Sequence, residues 1–208
     1  MEESLIKDNH GYGRVGEWLS EEINPESELS FVSAYFTIYA YEKLKDRLDR
    51  IKGLRFLFGE PRFIRNLDPE KTDKKEFQIQ DNGLQLSNAL SQKSLAKECE
   101  EWIKNKVEIR SVKKPNFLHG KLYHIKKSNG TQDALMGSSN FTVGGLGLSK
   151  NPNYELNTVI DSKALLQDLK NWFDALWENP EIVEDVKGEV IAYRQLIYQQ
   201  YSSEYIYC

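Results

Sequence analysis

The chain reads as an α/β fold, and two patterns predict that class. Between residues 28 and 59 a buried strand, an amphipathic helix and a second buried strand follow one another. That is the order of a right-handed parallel unit. Later, FLHGKLYHIKK, a turn at SNGTQ and DALMG form two strands of a hairpin, because Asn and Gly tolerate the positive φ such turns need. With 208 residues, 39% hydrophobic and 29% charged, there is enough chain for one large or two small domains and a substantial core.

Taken in order, residues 12–23 place Val15, Trp18, Leu19 and Ile23 at helical spacing, after a loop at His10–Gly13. Leu29, Phe31, Val32 and Ala34 form an almost continuous apolar strand. A helix over 38–51 follows, with Ile38, Tyr41, Leu44, Leu48 and Ile51 on one stripe, so its aromatics belong to the core. Gly53 ends it and LRFLFGE is the next strand, with Gly59–Arg62 at its carboxyl end, where open α/β sheets bind ligands. Arg62 and Arg65 read more as surface residues than as substrate contacts. Residues 66–82 are a polar, charged excursion. A long helix over 84–104 carries Leu86, Ala89, Leu90, Leu95, Trp102 and Ile103, and VEIRSV is a strand. After the hairpin, YELNTVI is a third strand and 163–178 an amphipathic helix. Asn179–Pro180 breaks it, and a second helix is expected over 181–200. The tail holds Tyr198, Tyr201, Tyr205 and Tyr207, a set expected to pack on its own domain, on a dimer mate, or to lead into a further domain.

Several functions are excluded at this level. No apolar run approaches the roughly 20 residues that span a bilayer, and the amino terminus lacks a signal-peptide core, so the expected location is cytoplasmic and no membrane partner is expected. Cys99 and Cys208 make no disulfide framework. His10, His119 and His124 have no zinc spacing, so no metal and no cofactor is expected. No phosphate-binding loop of the Gly-x-x-x-x-Gly-Lys type is present, hence no ATP site. The net charge of −4 argues against indiscriminate nucleic-acid binding. Locally, however, Arg110, Lys113, Lys114, Lys121, Lys126, Lys127 and Lys150 cluster in sequence around the hairpin. A charge run is usually a solvated face, yet this one flanks the residues that carry the chemistry.

Those residues are His119, Lys121, Ser138, Asn140 and Glu155. On a strand, His119, Lys121 and Tyr123 share a face. The hairpin returns Ser138 and Asn140 toward the His119 end. An imidazole can attack phosphorus, while an ammonium and an amide hold the equatorial oxygens as negative charge builds. In the third strand Glu155 shares a face with Asn157 and Val159, which offers a carboxylate to orient His119. Singly, each residue has an ordinary structural use; their joint spacing points to a phosphodiester site.

His-Gly-Lys at 119–121 followed by Gly-Ser-Ser-Asn at 137–140 resembles the His-x-Lys and Gly-Ser-x-Asn motif of the phospholipase D superfamily. The acidic residue after the second submotif resembles its nuclease-like branch. One position departs: the family's Asp five residues after the Lys is Lys126 here, and Asp133 lies across the turn and is no substitute. The resemblance implies a mixed β-sheet flanked by helices on both faces, with residues 1–162 as the catalytic domain. Residues 163–208 would be a helical extension that packs on it or leads to a missing domain. It implies metal-independent cleavage with His119, Lys121, Asn140 and Glu155 catalytic, and Ser138, Lys113, Lys114 and Lys126 binding substrate. A complete site uses two such sets and this chain has one, so a homodimer is implied, with the two His119 residues meeting at its axis. DNA is the expected partner. The end of the chain also resembles the region that joins such a domain to a helicase in some bacterial proteins, so a helicase or ATPase domain is a further expected partner. The alternative is a non-catalytic DNA-binding or dimerisation module.

Overall fold

The computed structural model describes residues 4–59 and 87–192. Arg62, Arg65, the 66–82 excursion and the tail tyrosines lie outside the described residues. The elements are β1 (Ile6–Lys7), α1 (Val15–Glu22), β2 (Glu28–Ser33), α2 (Ile38–Leu48), β3 (Gly53–Phe58) and α3 (Ser87–Lys106). They continue as β4 (Val107–Val112), β5 (Lys121–Lys126), β6 (Gln132–Gly137), β7 (Asn157–Ile160), α4 (Lys163–Trp177) and β8 (Val183–Asp185). The strands form one sheet in the order β1-β7-β6-β5-β2-β3-β4-β8. β2, β3 and β4 run parallel, and every other neighbour pair is antiparallel, so the sheet is mixed.

Alternation along the central strands builds two cores. Phe31, Phe56, Tyr123 and Leu135 face a layer made by α1, α2 and α3, with Trp18, Leu19, Tyr41, Leu44, Cys99 and Trp102. Their neighbours Val32, Leu57, Leu122 and Ala134 face α4 through Leu166, Phe173 and Trp177. Thr37 caps α2 by accepting the Ala40 N–H, and Ser162 caps α4 by accepting that of Leu165. Arg55 fastens α4 to the sheet: its guanidinium lies 4.9 Å from the Phe173 ring centre and 5.6 Å from that of Trp177, and it pairs with Asp174 at 2.7 Å. Arg110 stacks 4.8 Å from the Trp177 ring on the same face. This arginine therefore serves the fold rather than a polyanion surface.

One element is added and one expectation shifts. Ahead of the His10–Gly13 loop, a short strand that the sequence reading did not assign, β1, pairs with β7. Beyond Pro180 the chain forms β8 before any helix, and helical turns begin only at Lys187. Arg110 pairs with Asp185 and Val112 with Val183. The reason is the edge of β4, whose unpaired backbone groups β8 covers while burying Val183.

Asn157 joins three segments. It is 1% exposed; its amide donates to the Lys7 carbonyl at 3.0 Å and to Ser139 Oγ at 3.0 Å, and its Oδ1 accepts the Ser139 N–H at 3.1 Å. Replacing Asn157 with Ala leaves these groups without partners. Roughly 2–4 kcal/mol of stability should be lost, read as a fall in denaturation midpoint with unchanged slope; a shift below about 0.5 kcal/mol would contradict this role.

His124, on the α4 face, is fully buried, with Nε2 bonded to Gln132 Oε1 at 2.9 Å and Nδ1 without a partner. Burial holds its pKa below the ordinary 6.5. The unfolded chain therefore binds this proton first, and stability drops as pH falls below 6.5. His124→Gln should show a shallower loss of melting temperature than the parent between about pH 7 and 5; equal slopes would contradict the assignment.

Candidate active site

Because β5 is antiparallel to β2 and β6, the carboxyl ends of β2, β3 and β4, the amino end of β5 and the carboxyl end of β6 lie together. The 113–120 connection crosses back over this end. It passes so close to β3 that a Cβ on Gly59 would sit 2.6 Å from the Leu118 carbonyl oxygen. His119 lies exposed in this connection, with Nε2 3.2 Å from the Asn116 carbonyl. A carbonyl only accepts, so in this geometry Nε2 carries the hydrogen and Nδ1 keeps the lone pair. Lys121 begins β5 and donates to the His119 carbonyl at 2.7 Å, leaving further N–H groups of its ammonium available.

β6 delivers the second submotif. Lys121 pairs with Gly137. A Cβ on Gly137 would meet the Leu156 carbonyl oxygen at 2.2 Å and Asn157 Oδ1 at 2.5 Å, so only glycine lets the chain before β7 approach here. Asn140 Oδ1 accepts the Ala34 N–H at 3.0 Å and lies 3.3 Å from Ser33 Oγ. A backbone N–H only donates, which fixes the amide orientation and leaves its NH₂ as the donor end. Among the described residues that NH₂ has no acceptor. Below this, the Tyr123 phenol donates to the Ser139 carbonyl at 2.9 Å. Burial first, and the Glu155 charge second, push its pKa well above 10, so it stays a neutral prop.

The structure thus gathers His119, Lys121, Ser138, Asn140 and Glu155 at one sheet end, but not in every expected contact. Ser138 is not an open donor. Its hydroxyl bonds the Glu155 carboxylate, and its N–H donates to the Leu156 carbonyl at 3.2 Å. Glu155 also accepts from Asn153 at 3.2 Å. Among the described residues it makes no hydrogen bond to His119 of its own chain. Lys126 is removed from the site: it ends β5 at the opposite edge, about 17 Å along the strand from Lys121, and approaches Glu28 at 3.9 Å. Asp133, which pairs with Ile125 and bridges to Lys127 at 2.9 Å, is at that distant end too. Lys113 and Lys114 follow β4 at the site end, three strand spacings from β5, or about 14 Å. Lys113 donates to the Pro180 carbonyl and Lys114 is exposed.

Sequence reasoning missed Ser33, Ala34 and Asn153. The one available signal was Ser33, a polar residue closing the strand just after the apolar pair Phe31–Val32.

A family model described as cardiolipin synthase, PLD-like domain, matches residues 23–177. No curated protein matches the sequence. Among solved structures, the crystal structure of phosphatidylserine synthase from Haemophilus influenzae Rd KW20 is similar in fold. It has a TM-score of 0.54 and 12% identity, and the match covers 96% of this chain but 45% of that one. The present chain thus spans less than half the length of that neighbour. With a family model running from the end of α1 to the end of α4, the chain belongs to the phospholipase D-like family, whose members are phosphodiesterases and transferases that handle phosphodiester bonds.

Proposed function

We propose that this chain is a metal-independent phosphodiesterase acting on DNA, with a site completed by a second copy of itself. The observation that carries the reading is the convergence of His119, Lys121 and Asn140 at one sheet end, each with a chemically suited group left open. One imidazole attacks phosphorus, and the P–O bond to the leaving strand breaks. The departing alkoxide takes a proton from the imidazolium of the second copy. That imidazole, now neutral, removes a proton from water, whose oxygen attacks the phosphohistidine and frees the first imidazole. Lys121 and Asn140 donate to the equatorial oxygens throughout.

Support for a second copy is that this chain has a single Gly-Ser-x-Asn and that its other His-x-Lys triplet, His124–Lys126, has its histidine fully buried and its lysine at the far end of β5. The chain also covers only 45% of a neighbour of the same fold. Support for DNA is the exposed Lys114 and the adjacent Lys113 at the site end of the sheet, cations placed to meet a phosphate backbone. A helicase or ATPase domain remains a proposed partner through the end of the chain. A second reading, phospholipid phosphodiesters, is favoured by the names of the family model and the solved neighbour and by exposed Phe117 (51%) and Leu156 (68%), beside His119 and Glu155 in sequence.

The test is incubation in EDTA with labelled DNA and, in parallel, with phospholipid vesicles. DNA cleavage that falls at least 10³-fold in His119→Ala, on the order expected for loss of a nucleophile, is the predicted outcome. Cleavage of lipid alone would favour the second reading, and salt-sensitive DNA binding without product would favour a non-catalytic module. Undiminished cleavage in the variant would reject His119.

A further inference from the structure

Beside Glu155 a second feature is built that the phosphate chemistry does not use. The His10 imidazole and the Tyr154 phenol ring stack with centroids 3.6 Å apart and planes 17° apart. Both are exposed, and Tyr154 is 80% exposed, so the outer face of its ring is open. The turn that carries His10 is held firmly. Asp8 Oδ1 accepts the N–H groups of His10 at 2.8 Å and Tyr12 at 3.0 Å. Asn9, buried and left-handed at φ 68°, donates to the Gly145 carbonyl at 2.8 Å and accepts the Val15 N–H at 3.1 Å. The Asp8 carbonyl accepts the N–H of Glu155 at 3.3 Å. The ring pair is therefore locked to the segment just before β7 that supplies Glu155, which the sequence had placed on the strand itself, and lies one residue from it, about 3.8 Å between consecutive Cα atoms.

We infer that Tyr154, backed by His10, is a stacking platform for an unpaired nucleobase next to the phosphate held at the site. Two flat rings already at stacking distance present a third plane with a π-face. A polynucleotide offers that partner at every residue of its backbone, whatever the sequence. In a duplex the base faces are covered by their neighbours, so the platform selects single strands. This inference rests on the reading of the site as one for a polynucleotide, and adds strandedness to it.

The test uses the full chain carrying His119→Ala, so that no strand is cut, and fluorescence anisotropy with a labelled oligothymidylate, an abasic strand of equal length and a duplex. Oligothymidylate should bind roughly ten-fold tighter than the abasic strand. Adding Tyr154→Ala should erase that gap and Tyr154→Phe should keep it. Equal binding of the base-bearing and abasic strands, a gap that survives Tyr154→Ala, or tighter binding of the duplex would overturn the platform. So would a changed molecular mass in Tyr154→Ala, which would assign the rings to a subunit contact. Base-dependent binding with no cleavage by the parent protein would reject the catalytic reading and leave the platform standing. No binding to any strand would reject the platform together with the polynucleotide reading.

Discussion

The site depends on a small set of hydrogen bonds that tie the exit of β6 to the end of β2 across β5. Asn140 Oδ1 takes the Ala34 N–H. Ser33 Oγ takes the Phe141 N–H at 2.9 Å and donates to the Tyr35 carbonyl at 2.7 Å. The Thr37 N–H then reaches the Phe141 carbonyl at 3.1 Å, and Phe36 and Phe141 form a parallel bridge. Each bond is worth only about 1 kcal/mol net. Together they fix which end of the Asn140 amide faces outward. An asparagine free to turn over could also present its oxygen, and binding an anion would then have to reorient it. Held by Ala34, it offers only N–H groups, which is the preorganisation that anion stabilisation needs.

The same economy appears in the Gly-Ser-Ser-Asn turn. Gly137 leaves room for the chain that enters β7, Ser138 grips Glu155, and Ser139 is buried against Asn157. Asn140 alone turns a free donor outward. The three residues before it are scaffolding, and Tyr123 underneath is held neutral by burial so that its phenol can brace the turn. The absence of an Asp at position 126 fits this arrangement: the end of β5 where it would stand is remote from the site, and an exposed lysine is accommodated there.

Much of the fold was legible because its signals are local. The stripes of α1, α2 and α4, the near-continuous apolar run of β2 and the Asn-Gly turn with Gly130 at φ 86° each state their conformation within ten or so residues. The site was legible only as membership. His119, Lys121, Asn140 and Glu155 lie at one sheet end as their spacing suggests, but the partners that orient Asn140 come from a strand more than 100 residues away in sequence, as in the Ser33–Asn140 contact. No period along the chain encodes that. Charge misled for the same reason. Lys113, Lys114 and Lys126 are close in sequence, yet β5 carries the last to the far end of the sheet, while Arg110 is drawn onto Trp177. β8 was missed because the edge it covers belongs to β4, and short pairings of this kind are decided by the neighbour rather than by the strand.

Among the described residues, a single chain brings one motif imidazole, one motif ammonium and one outward amide to this sheet end, and its Glu155 bonds Ser138 and Asn153 rather than its own His119. The proposed two-step chemistry needs an acid as well as a nucleophile, so the proposal stands on a site shared between two copies. Co-expression of the parent chain with His119→Ala at known ratios, followed by cleavage assays on the mixed protein, tests this most directly. Activity that falls as the square of the parent fraction is the result the account predicts. Activity that falls in simple proportion would show that each chain works with its own histidine alone, and would contradict it.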